Sequence, residues 1–419
     1  MKKIVSLLLT VMILLSLAAC GNSEQAPESP AAPSGTASTA PSASNPPPSS
    51  NPPPGETSPA APEGPSLAAD GRYPAELVKI GFVNYDTTAD QVLAIQDYFK
   101  YLQTAFNFDV IWSESLSNAE QEFEFIERCA AAGCKAIIGY YNEGLDESAK
   151  LCASLGMYYW GGAEQDRIYE PNKNNDFYLG GYYSGNMNYD FGYAITAALV
   201  ANDCHKVIVM SGGKDYGVPF FIERYQGIID GIEKAKAGGY DIEMVYEVPG
   251  WPGTEEFAAH QVAALQTEAD SLAGTLNSMM WLQPMQVAGK FGQIKIASIG
   301  TADEDMVGLM HAGVFVGVCV EISGVFGLAI PMILNAVDGY ASQQRNADGT
   351  APKVNVSNWV ITSADDMAYF ADIERPGGTW TFNIDDMKTV LFAFNPDMKV
   401  EDLSTLYTAT SAEEVRARR

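Results

Sequence analysis

The chain has 419 residues, 47% of them apolar and 18% charged, with a formal net charge of −27. The excess of 52 acidic over 25 basic side chains argues against a nucleic-acid or anionic-membrane surface and acts mainly on solubility. His205, His260 and His311 are scattered without HExxH or any other ligand spacing, so neither a metal nor a cofactor is expected.

Met1-Lys2-Lys3 is a short positive segment, and the apolar run that follows over residues 4–17 is too short for an ordinary membrane span. It has the form of a secretory signal. The run ends in Leu17-Ala18-Ala19-Cys20, which resembles the bacterial lipobox, where small residues admit the signal peptidase and the Cys20 sulfur accepts diacylglycerol. The resemblance implies a signal peptide over residues 1–19 and a chain held by lipid on Cys20 at the extracytoplasmic face of the cell membrane. After Cys20 the composition turns to Pro, Ser, Ala, Gly, Thr and Asn, including Asn45-Pro46-Pro47-Pro48 and its near-repeat Asn51-Pro52-Pro53-Pro54. Residues 20–74 cannot bury a core and read as a semi-extended, solvated tether.

The remaining roughly 350 residues exceed what one hydrophobic core normally serves, so two lobes are expected. From Glu76 onward, short β-rich apolar runs alternate with amphipathic helical stretches, the rhythm of βαβ units feeding a mostly parallel sheet. Residues 77–83 form a buried-type strand. The next helix places Val92, Ile95, Phe99, Leu102 and Phe106 on one face, and residues 108–112 form the second strand. Ser117-Asn118-Ala119-Glu120 has the pattern of a capping box before a helix carrying Phe123 and Ile126, and Gly133 closes that helix. Cys129 and Cys134 lie at its end, where either a disulfide or two buried thiols satisfies the spacing.

Strands follow at 136–140 and 157–160, and a long helix at 189–200. The rhythm then restarts with a strand at 207–210 and a helix aligning Phe221, Tyr225, Ile228 and Ile232. Strand-like runs at 242–248, 272–276, 294–299 and 314–320 complete the series. The Gly- and Asn-rich segment 180–188 interrupts the alternation midway, which favours two open α/β sheets over a single TIM barrel, the alternative architecture.

Several short patterns fall at the ends of these strands. Asn84-Tyr85-Asp86 follows the first, Arg224-Tyr225-Gln226-Gly227 lies on a helix, and Asn277-Ser278-Met279-Met280 follows a later strand. Gly300-Thr301-Ala302 precedes Asp303, and Glu321 stands six residues before Gly327. In this order and spacing, residues 76–365 resemble the type I periplasmic-binding-protein superfamily, in particular the ribose-binding-like lipoproteins that deliver sugars to ABC importers. Ser278 replaces the family's usual Asp, and Ala302 stands where a cleft Asp commonly holds sugar hydroxyls. The resemblance implies an α/β fold of two Rossmann-like lobes with parallel sheets, joined by a three-strand hinge with crossovers near Tyr183, Ser323 and Trp359. The first lobe would comprise residues 75–183 plus 324–358 and the second 184–323 plus 359–419, with the tail beyond Asp365 packed on the second lobe.

Ligands of open α/β sheets sit outside the carboxyl ends of the strands, which here carry Tyr85, Tyr140, Tyr141 and Trp160. Aromatic faces suit sugar C–H surfaces, and each ring can equally fill a gap between loop and sheet. Trp160 and Tyr85 are the preferred stacking residues. The resemblance adds Asp86, Arg224, Asn277, Asp303 and Glu321, whose guanidinium, amide and carboxylate groups would hold a polyol. Asn277 also suits a strand cap, and Asp303 the start of a helix.

No GxSxG, HExxH or Walker loop occurs, and Gly212-Gly213-Lys214-Asp215 lacks the spacing of the last. The expectation is therefore a monomeric, non-enzymatic binding lipoprotein. Its ligand would be a sugar or related polyol, with a nucleoside as the second class, and its partner an ABC permease or, alternatively, a membrane receptor.

Overall fold

A computed structural model of the protein describes residues 64–140, 143–162, 166–216 and 219–419. The signal segment, Cys20, residues 20–63 of the predicted tether and Tyr141 lie outside the described residues. The first five strands are β1 (Tyr73–Val83), β2 (Phe106–Trp112), β3 (Ala136–Gly139), β4 (Tyr158–Gly161) and β5 (Tyr178–Tyr183). The next five are β6 (Lys206–Met210), β7 (Glu243–Val248), β8 (Ser271–Asn277), β9 (Lys295–Ile299) and β10 (Phe315–Val320). Two short strands, β11 (Lys353–Asn355) and β12 (Trp359–Ile361), complete two six-stranded sheets. Their orders are β11-β5-β4-β3-β1-β2 and β12-β10-β9-β8-β6-β7, parallel throughout except for the antiparallel β12. The fold is thus α/β with two open sheets.

The chain passes between the sheets after β5, after β10 and between β11 and β12. These passages touch. The Ile322 amide donates to Asn358 Oδ1 at 2.7 Å, and the Asn358 amide group lies against Met187 at the start of the helix after β5. Three strands crossing side by side allow rotation at few backbone positions, the anatomy of a hinge.

Each sheet is covered on both faces. In the first lobe, α1 (Asp90–Leu102) lies on one face, with α2 (Ala119–Ala131), α3 (Leu145–Ser154) and α4 (Asp166–Asn172) on the other. Strand alternation divides the packing: Phe82, Ile138 and Trp160 face α1, while Ile137 and Tyr159 face α2 and α3. In the second lobe, α5 (Met187–Ala201) and α6 (Pro219–Ala237) cover one face. The other is covered by α7 (Glu255–Ala264), α8 (Leu282–Val287) and α9 (Glu304–His311). The apolar stretch Ser323–Gln344, containing α10 (Ala329–Asn335), is long and apolar enough to cross a membrane, but it packs as a buried helix against β4 and β5.

Three local expectations are corrected and one alternative is resolved. Phe106 does not extend the face of α1. That helix ends at Leu102, and Phe106 opens β2 opposite Tyr73, a residue assigned to the tether that is already buried in β1. The cap of α2 is Asn118 rather than Ser117: Asn118 Oδ1 accepts from the Gln121 amide at 3.0 Å, while Gln121 Oε1 accepts from the Ser117 amide at 2.9 Å. The segment read as an interruption contains β5. Its glycines are needed because a Cβ on Gly180 would come within 2.0 Å of the Pro352 carbonyl oxygen, and one on Gly181 within 2.1 Å of that of Gly161. The described cysteines, Cys129 and Cys134 among them, are buried free thiols.

The tail departs furthest from expectation. Helix α11 (Ala364–Ile373) packs on α9 of the second lobe, but the chain then returns to the first lobe. There Tyr98 Oη donates to the Phe382 carbonyl at 2.7 Å, and the Ile384 amide at the head of α12 (Ile384–Thr389) donates to Tyr101 Oη at 3.2 Å. Buried Asn335 holds both sides of the next turn, donating to the Val390 carbonyl and accepting from the Phe392 amide, each at 3.0 Å. Helix α13 (Val400–Thr408) lies on β11 and the hinge, its Tyr407 carbonyl accepting from Ser357 at 3.0 Å. The chain comes back to the second-lobe side at Thr410, whose carbonyl accepts from Trp359 Nε1 of β12 at 3.0 Å, and at α14 (Ala412–Ala417), through Arg416 and Asp366 at 3.2 Å. Assigning residues 359–419 wholly to the second lobe is therefore wrong. The apolar side chains of the tail find their unfilled surface on α1 and α10.

Candidate interlobe site

Strand order locates the site. In each sheet the order reverses beside the first strand of that lobe, between β1 and β3 in one and between β6 and β8 in the other. Crevices open at the carboxyl ends of strands at such reversals. In the first lobe those ends lead to Tyr85, Gln91 on the first turn of α1, and Tyr140. In the second they lead to Lys214, Thr275 and, on α6, Arg224.

Gly227 explains how Arg224 is aimed. Helices α5 and α6 meet backbone to backbone, so that a Cβ on Gly227 would sit 2.0 Å from the Tyr189 carbonyl oxygen, and one on Gly192 2.0 Å from that of Arg224. This approach brings Arg224 beside the first turn of α5, where its Nε donates to Asn188 Oδ1 at 2.9 Å. Nη1 donates to the Thr275 carbonyl at 3.3 Å, and Nη2 forms a hydrogen-bonded ion pair with Glu321 Oε1. The Arg224 side chain is 6% exposed and that of Glu321 32%.

Glu321 directly follows β10, and its second oxygen reaches the other lobe. Oε2 accepts from Gln91 Nε2 at 3.2 Å, and Gln91 Oε1 accepts from Tyr140 Oη at 2.5 Å. Burial, reinforced by neighbouring Tyr85 and Glu321, pushes the Tyr140 hydroxyl well above its ordinary pKa and keeps it a proton donor. A continuous polar chain, Tyr140–Gln91–Glu321–Arg224, therefore spans the lobes. The Tyr85 ring, 45% exposed, lies 5.5 Å from that of Tyr140 at its edge.

Of the expected site residues, the structure brings Tyr85, Arg224 and Glu321 together. Trp160 is not among them: it is fully buried, with Tyr182 and Phe326 at 6.1 and 6.2 Å, so neither face of the indole is open to the space between the lobes. Three polar candidates are engaged locally. Asp86 Oδ1 accepts from the Thr88 hydroxyl and amide at 2.7 and 2.8 Å, which holds its pKa below the usual range. Asn277 Oδ1 accepts from the Met279 amide at 3.0 Å, the cap role. Asp303 caps α9 through the Met306 amide at 2.8 Å and accepts from Thr301 at 2.5 Å.

Residues not singled out from the sequence complete the site. Gln91 carries no pattern that separates it from any polar residue on a first helical turn. Lys214 pairs with Glu247 at 3.1 Å and Asp215 at 3.4 Å and lies 4.5 Å above the Tyr225 ring. Burial raises the Glu247 pKa, but hydrogen bonds from Ser211, Lys214 and Tyr225 outweigh it and leave it below the usual value. Phe220, 40% exposed, lies 5.2 Å from the Arg224 guanidinium, and Trp251, 44% exposed, packs against Phe221 at 5.6 Å. Trp251 had a legible signal: an aromatic residue in Pro249-Gly250-Trp251-Pro252-Gly253, just past β7. Among the described residues no group of three or more His, Cys, Asp or Glu is placed to hold a metal ion.

No family model matches the sequence, and no curated protein matches it. Solved structures match the fold. A solute-binding protein of an ABC transporter from Actinobacillus succinogenes with bound D-allose is 13% identical, covering 70% of this chain and all of its own, with a TM-score of 0.55. One from Bacillus halodurans with bound myo-inositol is 15% identical, covering 73% and 99%, TM-score 0.51. The arabinose-binding component from Shewanella sp. ANA-3, bound to L-arabinofuranose, is 15% identical, covering 72% and 96%, TM-score 0.51. The two hinged, mostly parallel sheets have the type I periplasmic-binding-protein fold, and these neighbours are binding proteins rather than enzymes.

Proposed function

We propose that this protein is an extracytoplasmic solute-binding lipoprotein, anchored through Cys20, that captures a monosaccharide or related polyol between its lobes and delivers it to an ABC permease. The observation that carries the reading is the polar chain from Tyr140 to Arg224, which joins the lobes at their facing strand ends. A ligand that bridges those ends binds the closed form better than the open one and so shifts the population toward closure. Exposed Tyr85, Phe220 and Trp251 offer faces for sugar C–H surfaces, and the spare N–H groups of Arg224 offer donors for hydroxyls. The neighbours' bound D-allose, myo-inositol and L-arabinofuranose supply the ligand class. Calorimetric titration of the purified protein with neutral hexoses, pentoses and inositols is expected to give at least one dissociation constant at or below about 10 μM, or some −7 kcal/mol. Heats indistinguishable from dilution across that panel would refute the sugar reading.

A further inference from the structure

The charge of the cleft floor is closed on itself. Arg224 is paired with Glu321, and Lys214 with Glu247 and Asp215, so two cations meet three carboxylates. Of the other basic side chains, Arg167 at the head of α4 is exposed and screened by solvent, and Lys353 lies over the rings of Tyr169 and Tyr183. A carboxylate or phosphate brought to the floor would lie beside Glu321 and would find Arg224 and Lys214 already neutralised. A neutral hydroxyl meets no such obstacle. Among the described residues, three of the five guanidinium N–H groups of Arg224 are used by Asn188, Thr275 and Glu321, and two have no acceptor.

We propose that Glu321 is the specificity-determining residue of the cleft: its ion pair with Arg224 makes the site select ligands without net charge and reject the corresponding acids. Glu321 also accepts the Gln91 bond from the first lobe, so the carboxylate that cancels the guanidinium charge is the one that meets the closing lobe. Selection of this kind works by repulsion as much as by attraction. The proposal rests on the sugar-binding reading for its ligand class but concerns a different property, charge.

The test compares the wild-type protein with E321Q, which keeps an acceptor for Arg224 and removes the charge. D-glucose, D-galactose, D-glucuronate, D-galacturonate and inorganic sulfate are titrated at matched ionic strength, by calorimetry and by thermal shift. The wild type is expected to bind each uronate at least about tenfold more weakly than its neutral parent, and E321Q to narrow that ratio about tenfold or more. Sulfate is expected to raise the melting temperature of E321Q but not that of the wild type. Adding Arg224→Gln to E321Q is expected to abolish both gains, because they require the guanidinium. Wild-type protein that binds a uronate as tightly as its parent would overturn the filter and leave sugar binding standing. Conversely, a protein that binds none of the sugars but gains sulfate affinity in E321Q would sink the sugar reading and keep the filter. A folded E321Q that gains neither uronate nor sulfate overturns the proposal, and Glu321→Ala, read in the same way, decides the matter if E321Q does not fold.

Discussion

Phe382→Ala is expected to lower the unfolding free energy by about 3–5 kcal/mol, although it lies in the tail, beyond the last strand of either sheet. The Phe382 side chain has no exposed surface, its ring stacks on Tyr407 at 4.3 Å, and its carbonyl accepts the buried Tyr98 hydroxyl of α1. It also fills the space over Gly324, where the chain leaves the hinge, coming within 3.0 Å of where a Cβ would stand. One continuous apolar cluster runs from Ile80 and Phe99 of the first lobe through Phe382, Tyr407, Trp359 and Phe370 to Ile296 and Met306 of the second. Truncation therefore leaves a cavity in a core shared by both lobes, and backbone relaxation recovers only part of the loss. Denaturant unfolding checks this against Val262→Ala, an exposed position on α7 that is expected to change stability by less than about 0.5 kcal/mol. A change below about 1 kcal/mol for Phe382→Ala would show the tail to be an appendage.

Arg224→Ala is expected to weaken binding of whichever monosaccharide the protein takes by at least about tenfold, or some 1.4 kcal/mol. The substitution removes the guanidinium donors offered to ligand, takes from Asn188 and the Thr275 carbonyl their Arg224 bonds, and leaves Glu321 only its bond from Gln91 among the described residues. Gln91→Ala separates ligand contact from lobe bridging. It deletes the bonds to Tyr140 and Glu321, each worth about 0.5–1.5 kcal/mol, without removing a charge from the floor. A Gln91→Ala protein with unchanged affinity would show that the bridge does not contribute to closure, while normal binding by Arg224→Ala would remove Arg224 from the site.

The strands built from consecutive β-branched and aliphatic residues were legible, because a buried parallel strand needs such a run. β3, β6 and β10 are of this kind, and β4, Tyr-Tyr-Trp-Gly, was legible through its aromatic residues. β5 was not, since Tyr-Leu-Gly-Gly-Tyr-Tyr owes its place to close backbone neighbours rather than to side-chain pattern. β11 and β12, at three residues each, exist only through their pairing partners. In the site, Arg224 with Gly227 was readable because the glycine spacing reflects a helix contact that aims the arginine. Trp160 was misplaced for a definite reason. The strand-end rule says which edge of the sheet carries the ligand, but a residue still within β4 must follow the alternation, and at Trp160 that points under Phe326. Tyr85, past the last residue of β1, is free of that alternation and is exposed. The destination of the tail depended on contacts hundreds of residues apart, such as Tyr98 with Phe382, which no local pattern records.

In the proposed mode of binding, ligand is held by both lobes at once. Hydrogen-exchange mass spectrometry of the protein with and without its tightest-binding monosaccharide tests it most directly. Slower exchange is predicted together in residues 84–91 and 137–140 of the first lobe and in residues 219–224 and 320–322 of the second. Protection confined to one lobe, or absent from both at saturating ligand, would contradict the account.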